Sequence, residues 1–315
     1  MTRLTRTLGP VMIWGLGVGY VISGAYFGWN LGDHRGRRTV YAAGMRILVA
    51  SALVILLAAC GASRSTYARH PGAPLAFDRA GTKPEALEIA DKVLATAGGA
   101  ANWEKAKQIR WRQAILRDGK PAMSGQQAWD RWNARHWAEV DRDDGNNSGV
   151  MYEIYGEYRA GYVLAKSGSK QPVTTGEVVA AAKLARSAWQ RDATIAFAPF
   201  LLEEPGSKLD YVGIVKDDAT GAEYHELKLT FDPKDAARAG LTVHVYADKA
   251  TFVVGRVELE TAAGERYAYT LGGYQTVGGL SLATERKNLG SGEVVKLSEI
   301  KVGEVDDTLY IAPIF

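Results

Sequence analysis

Cysteine is almost missing from this chain of 315 residues: Cys60 is the only one. A single thiol cannot close an internal disulfide, so stability has to come from a hydrophobic core. Histidine is scarce too, with five residues. His136 and His244 have no Cys or His neighbour at metal-ligand spacing. His225-Glu226 opens like a zinc-protease helix, but Leu229 stands where the second histidine belongs. No Gly-x-Ser-x-Gly and no phosphate-binding loop occurs. Residues 141–147 are rich in Asp and Asn, yet Gly145 falls fifth rather than sixth and no Glu closes the loop, so a solvated hairpin turn is expected rather than a calcium site. The pairs Glu203-Glu204 and Asp217-Asp218, if in strands, point to opposite faces and make no acid–base couple. The chain is therefore expected to be no enzyme and to hold no metal and no cofactor.

A basic excess is also lacking where it would matter. The whole chain has net charge +3, from 38 basic and 35 acidic residues. Residues 1–59 hold six of those basic residues (Arg3, Arg6, Arg35, Arg37, Arg38, Arg46) and one acid, Asp33, which leaves 32 basic against 34 acidic beyond them. No electrostatic case for a nucleic-acid partner remains.

What is present at the N-terminus is hydrophobic. Residues 47–59 are apolar or small, with Ser51 the only hydroxyl. They are too few to span a bilayer and suit the core of an export signal. They follow Met45-Arg46 and end in Leu57-Ala58-Ala59-Cys60. This layout resembles a bacterial lipobox, which implies that Cys60 is lipidated and becomes the first residue of the working protein. The anchor would hold the chain at a membrane surface without threading it. Gly61, in place of Asp, leans by the same resemblance towards the outer membrane, facing the periplasm. Residues 60–81, rich in Gly, Ser and Pro, read as a flexible tether. Earlier still, residues 8–31 are uncharged and long enough for a membrane helix. Their glycine-rich pattern, Leu8-Gly-Pro-Val-Met-Ile-Trp-Gly-Leu-Gly-Val-Gly-Tyr, resembles the first membrane helix of ethanolamine permeases. The other helices of such a transporter are not there, so residues 1–44 are expected to be a leader foreign to the working protein, with Met45 as the true start. The alternative is a real anchor whose Arg35, Arg37 and Arg38 face the cytoplasm.

Beyond the tether a single domain, 82–315, is expected. Thr82-Lys-Pro-Glu85 has the form of a capping box, and Leu87, Ala90, Leu94 and Ala97 recur at helical spacing up to Gly98-Gly99. The period then changes to two: Ile109, Trp111, Gln113 and Ile115 alternate with polar residues, and Asp118-Gly119 offers a hairpin turn. A second strand region is expected over 127–141 and a third over 150–158, extending to 164. Thr174-Thr-Gly-Glu177 is another capping box, heading an alanine-rich helix through Trp189. The last hundred residues alternate most clearly, at Leu227-Leu229-Phe231, Val243-Val245, Val257-Leu259 and Tyr267-Tyr269-Leu271. The expected class is α+β: a curved antiparallel sheet, an incomplete β-barrel, with covering helices.

The C-terminal pattern carries a second resemblance. Tyr246-Ala-Asp248-Lys-Ala-Thr251 precedes a strand, and Tyr274-Gln-Thr-Val-Gly-Gly279-Leu280 follows. Both resemble motifs of the LolA/LolB-like superfamily of outer-membrane lipoprotein-sorting proteins. Ser281-Leu-Ala283 departs from it, since a proline often follows Gly-Leu there. The resemblance implies a half-barrel whose interior takes a lipid, the acyl chain of a lipoprotein or another hydrophobic ligand. Candidate lining residues are Trp111, Trp129, Trp137, Leu227, Leu229, Phe231, Val243 and Val245. Period-two strands look alike whether they line a cavity or a packed core, so a solid interaction module or scaffold of the outer membrane stays open as the alternative.

Overall fold

The computed structural model describes residues 76–311 apart from residue 219. The hydrophobic segments at 8–31 and 47–59, Cys60 and residues 60–75 of the tether lie outside the described residues. The described residues all belong to one compact unit. The hydrophobic clusters described below all lie within it, so this unit carries its own core.

Two helices come first, α1 (Pro84–Thr96) and α2 (Ala100–Lys105). A meander follows: β1 (Gln108–Arg117), β2 (Lys120–Asp130), β3 (Arg135–Asp141), β4 (Asn147–Glu153), β5 (Arg159–Leu164) and β6 (Lys170–Pro172). Helices α3 (Thr175–Ala196) and α4 (Ala198–Leu201) then interrupt the sheet. A second run adds β7 (Ser207–Lys216), β8 (Glu223–Phe231), β9 (Thr242–Asp248), β10 (Val254–Glu260), β11 (Arg266–Gly272), β12 (Gln275–Val277), β13 (Leu280–Leu282), β14 (Glu285–Asn288) and β15 (Val294–Gly303). A 3-10 turn at Asp307–Tyr310 closes the described chain.

Thirteen strands join into one sheet in the order β6-β5-β4-β3-β2-β1-β15-β14-β11-β10-β9-β8-β7, while β12 and β13 form a separate hairpin. All pairings are antiparallel, and β15 against β1 splices the two runs together. Strands β6 and β7 remain edges, so the barrel is not closed. The architecture is the open antiparallel sheet with covering helices that the sequence implies. Helix α1 packs on β7 and β8, and α3 packs on β4, β5 and β10.

Two large clusters fill the space between sheet and helices. One joins Trp103 of α2, Ile109, Trp111 and Ile115 of β1, Trp129 of β2, Tyr152 of β4, Trp189 of α3, and Phe197 with Phe200 beyond it. The other joins Ala86, Ile89, Ala90 and Val93 of α1 to Leu227, Leu229, Val243, Val245, Val257 and Leu259 of β8 to β10. Cross-strand pairing builds this second layer: Leu227 faces Val245, Leu229 faces Val243, and Leu259 faces Val243 from the far side. Alternation explains the face, since successive strand residues point to opposite sides.

Local signals were obeyed unevenly. At α3 the capping box forms: the Glu177 amide donates to the Thr174 hydroxyl at 3.3 Å, and the Thr174 amide donates to the Glu177 carboxylate at 2.7 Å. At α1 it does not. Lys83 is the N-cap without a side-chain cap bond, and the Thr82 hydroxyl instead donates to the Asp78 carbonyl at 2.7 Å. The face of α1 is also shifted from the expected stripe. Ala86, Ile89, Ala90 and Val93 are buried against the strands, Leu87 is half-buried, and Leu94 with Ala97 turns to the first cluster.

The region 127–141 is a hairpin, not one strand. Asp130 makes the turn: it accepts from the Asn133 amide at 2.8 Å and side chain at 2.9 Å and from Arg135 Nε at 2.7 Å. Ala134 completes it at φ 53°. Residues 147–164 likewise fold into two strands, β4 and β5, closed by the Glu153 amide on the Tyr158 carbonyl at 3.0 Å.

Candidate functional site

The hairpin at 131–134 decides where the tryptophans go. Trp129 and Trp137 do not share a face: Trp129 pairs across with His136, and Trp137 with Ala128. Trp129 and Trp111 point into the first core cluster. Trp137 lies on the opposite side, packed with Ala128, Met151 and Tyr310, its indole N–H donating to the Tyr162 hydroxyl at 3.0 Å. Leu227, Leu229, Phe231, Val243 and Val245 belong to the second cluster under α1. All eight nominated residues are at most 5% exposed. They make packed core, and none of them lines the cleft described next.

That cleft, of about 540 Å³, opens between the C-terminal half of α3 and the far ends of β9 to β11. Buried Leu241 and Leu259 are part of its lining. Leu184, Ala188 and Arg191 line it from α3, and Thr261, Ala262, Ala263 and Glu265 from the β10–β11 turn. Leu184, on the α3 side of the cleft, is 73% exposed. Arg191 lies over the Tyr267 ring at 5.7 Å, and the Tyr267 hydroxyl donates to Glu265 at 3.2 Å. The backbone that shapes the cleft depends on Gly240, at φ 80°. A Cβ there would stand 2.6 Å from the Ala262 Cβ, so only glycine lets the two turns meet.

From the cleft a polar chain runs inward through the first core. Arg191 Nε donates to Asp192 Oδ1 at 2.8 Å, and Gln113 Nε2 donates to Asp192 Oδ2 at 3.1 Å. Gln127 Nε2 donates to Gln113 Oε1 at 3.2 Å, and His136 Nε2 meets Gln127 Oε1 at 3.2 Å. Arg286 reaches the Asp192 backbone carbonyl at 3.2 Å and its carboxylate at 3.3 Å. Burial would raise the Asp192 carboxyl, but the charges of Arg286 and Arg191 and their hydrogen bonds hold it below the usual range. His136 is fully enclosed, and burial drives its pKa down to about 3 against the opposing charge of Asp192.

A second buried ionic group was not anticipated. Glu203 and Glu204 sit on the turn after α4, not in a strand. Glu203 pairs with Arg79. Glu204 accepts from Arg131 at 2.7 Å and from the Trp103 indole at 2.7 Å, with Arg238 at 3.4 Å. Arg131 also lies flat on Trp103, 3.4 Å from the ring centre. Burial pushes Glu204 up, but Arg131 and Arg238 pull it below the usual carboxylate range. This group ties α2, the β2–β3 turn and the 232–240 segment together. His225 is a rim histidine: its Nδ1 meets the Tyr211 hydroxyl at 2.9 Å and its ring stacks on Phe252. Among the described residues no cluster of His, Cys, Asp and Glu could hold a metal ion.

No family model and no curated protein matches the chain. Among solved structures it is similar to a DUF1329 family protein from Desulfovibrio piger, at 12% identity and TM-score 0.42, over 72% of this chain and 97% of that one. It is also similar to a LolA superfamily protein from Nitrosomonas europaea, at 14% identity and TM-score 0.41, over 70% of this chain and 97% of that one.

Proposed function

We propose that this chain is a lipid-anchored, non-catalytic protein of the bacterial envelope that holds the apolar chain of a lipid or lipid-modified protein in the cleft beside α3. Cys60 supplies the anchor and the residues after it the tether, which ends before Arg79 pairs with Glu203 on the domain. The observation that carries the reading is the cleft itself. Its 540 Å³ falls in the range of ligand pockets, ~300–1,000 Å³. Its lining is mostly alanine and leucine, with Leu184 exposed at its mouth. Each methylene buried contributes about 0.8 kcal/mol, so a chain of about eight supplies roughly 6 kcal/mol before ordering costs.

The packed state of Trp111, Trp129, Leu227, Leu229, Phe231, Val243 and Val245 favours a second reading, an interaction module with a solid interior. One experiment separates the two. The 64–315 unit is purified without detergent, its bound lipids are extracted and identified by mass spectrometry, and a fluorescent fatty acid is titrated. Lipid recovery and saturable binding that Ala188→Trp abolishes support the cleft. A clean protein with no saturable binding leaves the solid module.

A further inference from the structure

Four buried polar atoms on neighbouring rings have no hydrogen-bond partner among the described residues. They are Trp129 Nε1, His136 Nδ1, Tyr152 Oη and Trp189 Nε1, on residues at most 2% exposed. Their rings form a contiguous set: Trp129 to Trp189 is 5.5 Å between centres, Trp189 to His136 6.2 Å, and His136 to Tyr152 5.4 Å. A buried donor or acceptor left unpaired is destabilising, and native interiors carry few. Four on successive neighbouring rings call for a common explanation.

Their chemistry is specific. The two indoles can only donate. Gln127 uses its amide nitrogen on Gln113, so its oxygen faces His136 Nε2 and that nitrogen carries the proton. His136 Nδ1 is then a bare acceptor. Tyr152 can give or take. The complement is an uncharged group that both accepts and donates. An anion would meet the Nδ1 lone pair, with the Asp192 carboxylate beyond it. The neighbouring cations are already engaged: Arg286 and Arg191 on Asp192, and Arg186 on the carbonyls of Glu153 and Ile154 while lying 5.2 Å from the Tyr152 ring.

Position links this set to the cleft. Trp189 lies on α3 between Ala188 and Gln190, both of which line the cleft from its other side. The remaining residues of α3 in that core cluster are Ala182, Ala193 and Ala196, so Trp189 is the one large α3 side chain plugging the interior there.

We propose that Trp129, His136, Tyr152 and Trp189 form a head-group subsite behind α3 that takes the neutral primary amide of an amphiphile whose apolar chain runs in the cleft. This rests on the cleft reading above. An outward shift of α3 admits the head group, which then pairs with both indoles, the tyrosine hydroxyl and His136 Nδ1.

Decanamide and decanoate share a chain and differ in the head. Each is titrated against the fluorescent fatty acid bound to the 64–315 unit, in the wild type and in Trp129→Phe and Tyr152→Phe, which keep the rings. The subsite predicts that decanamide displaces the probe at roughly tenfold lower concentration than decanoate. Each variant weakens decanamide by roughly three- to tenfold and leaves decanoate unchanged. Equal affinity for the two heads, or variants without selective effect, overturns the subsite while the cleft stands; ordered waters then satisfy the four atoms. Absence of any probe binding overturns the cleft and the subsite together.

Discussion

His136 sets a pH dependence that can be worked from its surroundings. Its ring is enclosed by Trp111, Tyr152 and Trp189, with Asp192 as the nearest opposing charge. Burial takes its pKa from 6.5 to about 3. In the unfolded chain the imidazole protonates as pH falls through 6.5, while in the folded protein it stays neutral. The unfolded state therefore binds more protons below pH 6.5, and the stability contributed by neutral burial is lost as pH falls towards 3. At pH 5 the loss from this one group is about 2 kcal/mol relative to neutral pH. Asp192 and Glu204 are both held low, and His225, Glu203 and Asp235, which burial shifts towards this window, are common to wild type and variant and cancel in the difference. Urea unfolding of wild type and His136→Phe at pH 7, 6 and 5 isolates the effect. The wild type should lose about 2 kcal/mol more than the variant between pH 7 and 5. Parallel loss in the two proteins would refute the neutral, desolvated histidine.

Further outcomes follow from other groups. Glu204→Gln leaves Arg131 and Arg238 buried without their carboxylate and should cost about 3–5 kcal/mol in urea unfolding; a cost below 1 kcal/mol contradicts the ionic clamp. Gly240→Ala combines a positive φ with a 2.6 Å approach to Ala262 and should cost about 1–3 kcal/mol, with weaker fatty-acid binding as the cleft turns separate; an unchanged midpoint contradicts the close packing. Cys60→Ser in cells should accumulate an uncleaved, unlipidated precursor on gels; normal processing refutes the lipid anchor.

The strands of the second half were legible because their apolar residues fall on one face, so Leu227, Leu229, Val243 and Val245 recur at every second position. The 131–134 turn was not, because it contains neither glycine nor proline. Its signal is Asp130 three residues before Asn133, an arrangement in which a side chain closes the turn. In an unbroken strand Trp129 and Trp137 would share a face; the turn sets them on opposite ones. Trp103 was missed because α2 is only six residues long, too short for periodicity to register. The cleft could not be read at all. Its lining comes from residues 184–191, 239–241 and 259–267, and only the pairing of β9, β10 and β11 brings the last two near each other. Glu204 reads in sequence only as half of an adjacent acidic pair, and its burial depends on Arg131 and Arg238 arriving from distant turns.

Leucine-methyl NMR of the 64–315 unit with a stearate spin-labelled near its tail distinguishes an apolar chain in the cleft beside α3 from one in the interior of the half-barrel. A chain in the cleft strongly broadens Leu184, Leu241 and Leu259, which line it, and leaves Leu227 and Leu229 under α1 sharp. Broadening centred on Leu227 and Leu229, or none at saturating stearate, would contradict the cleft reading.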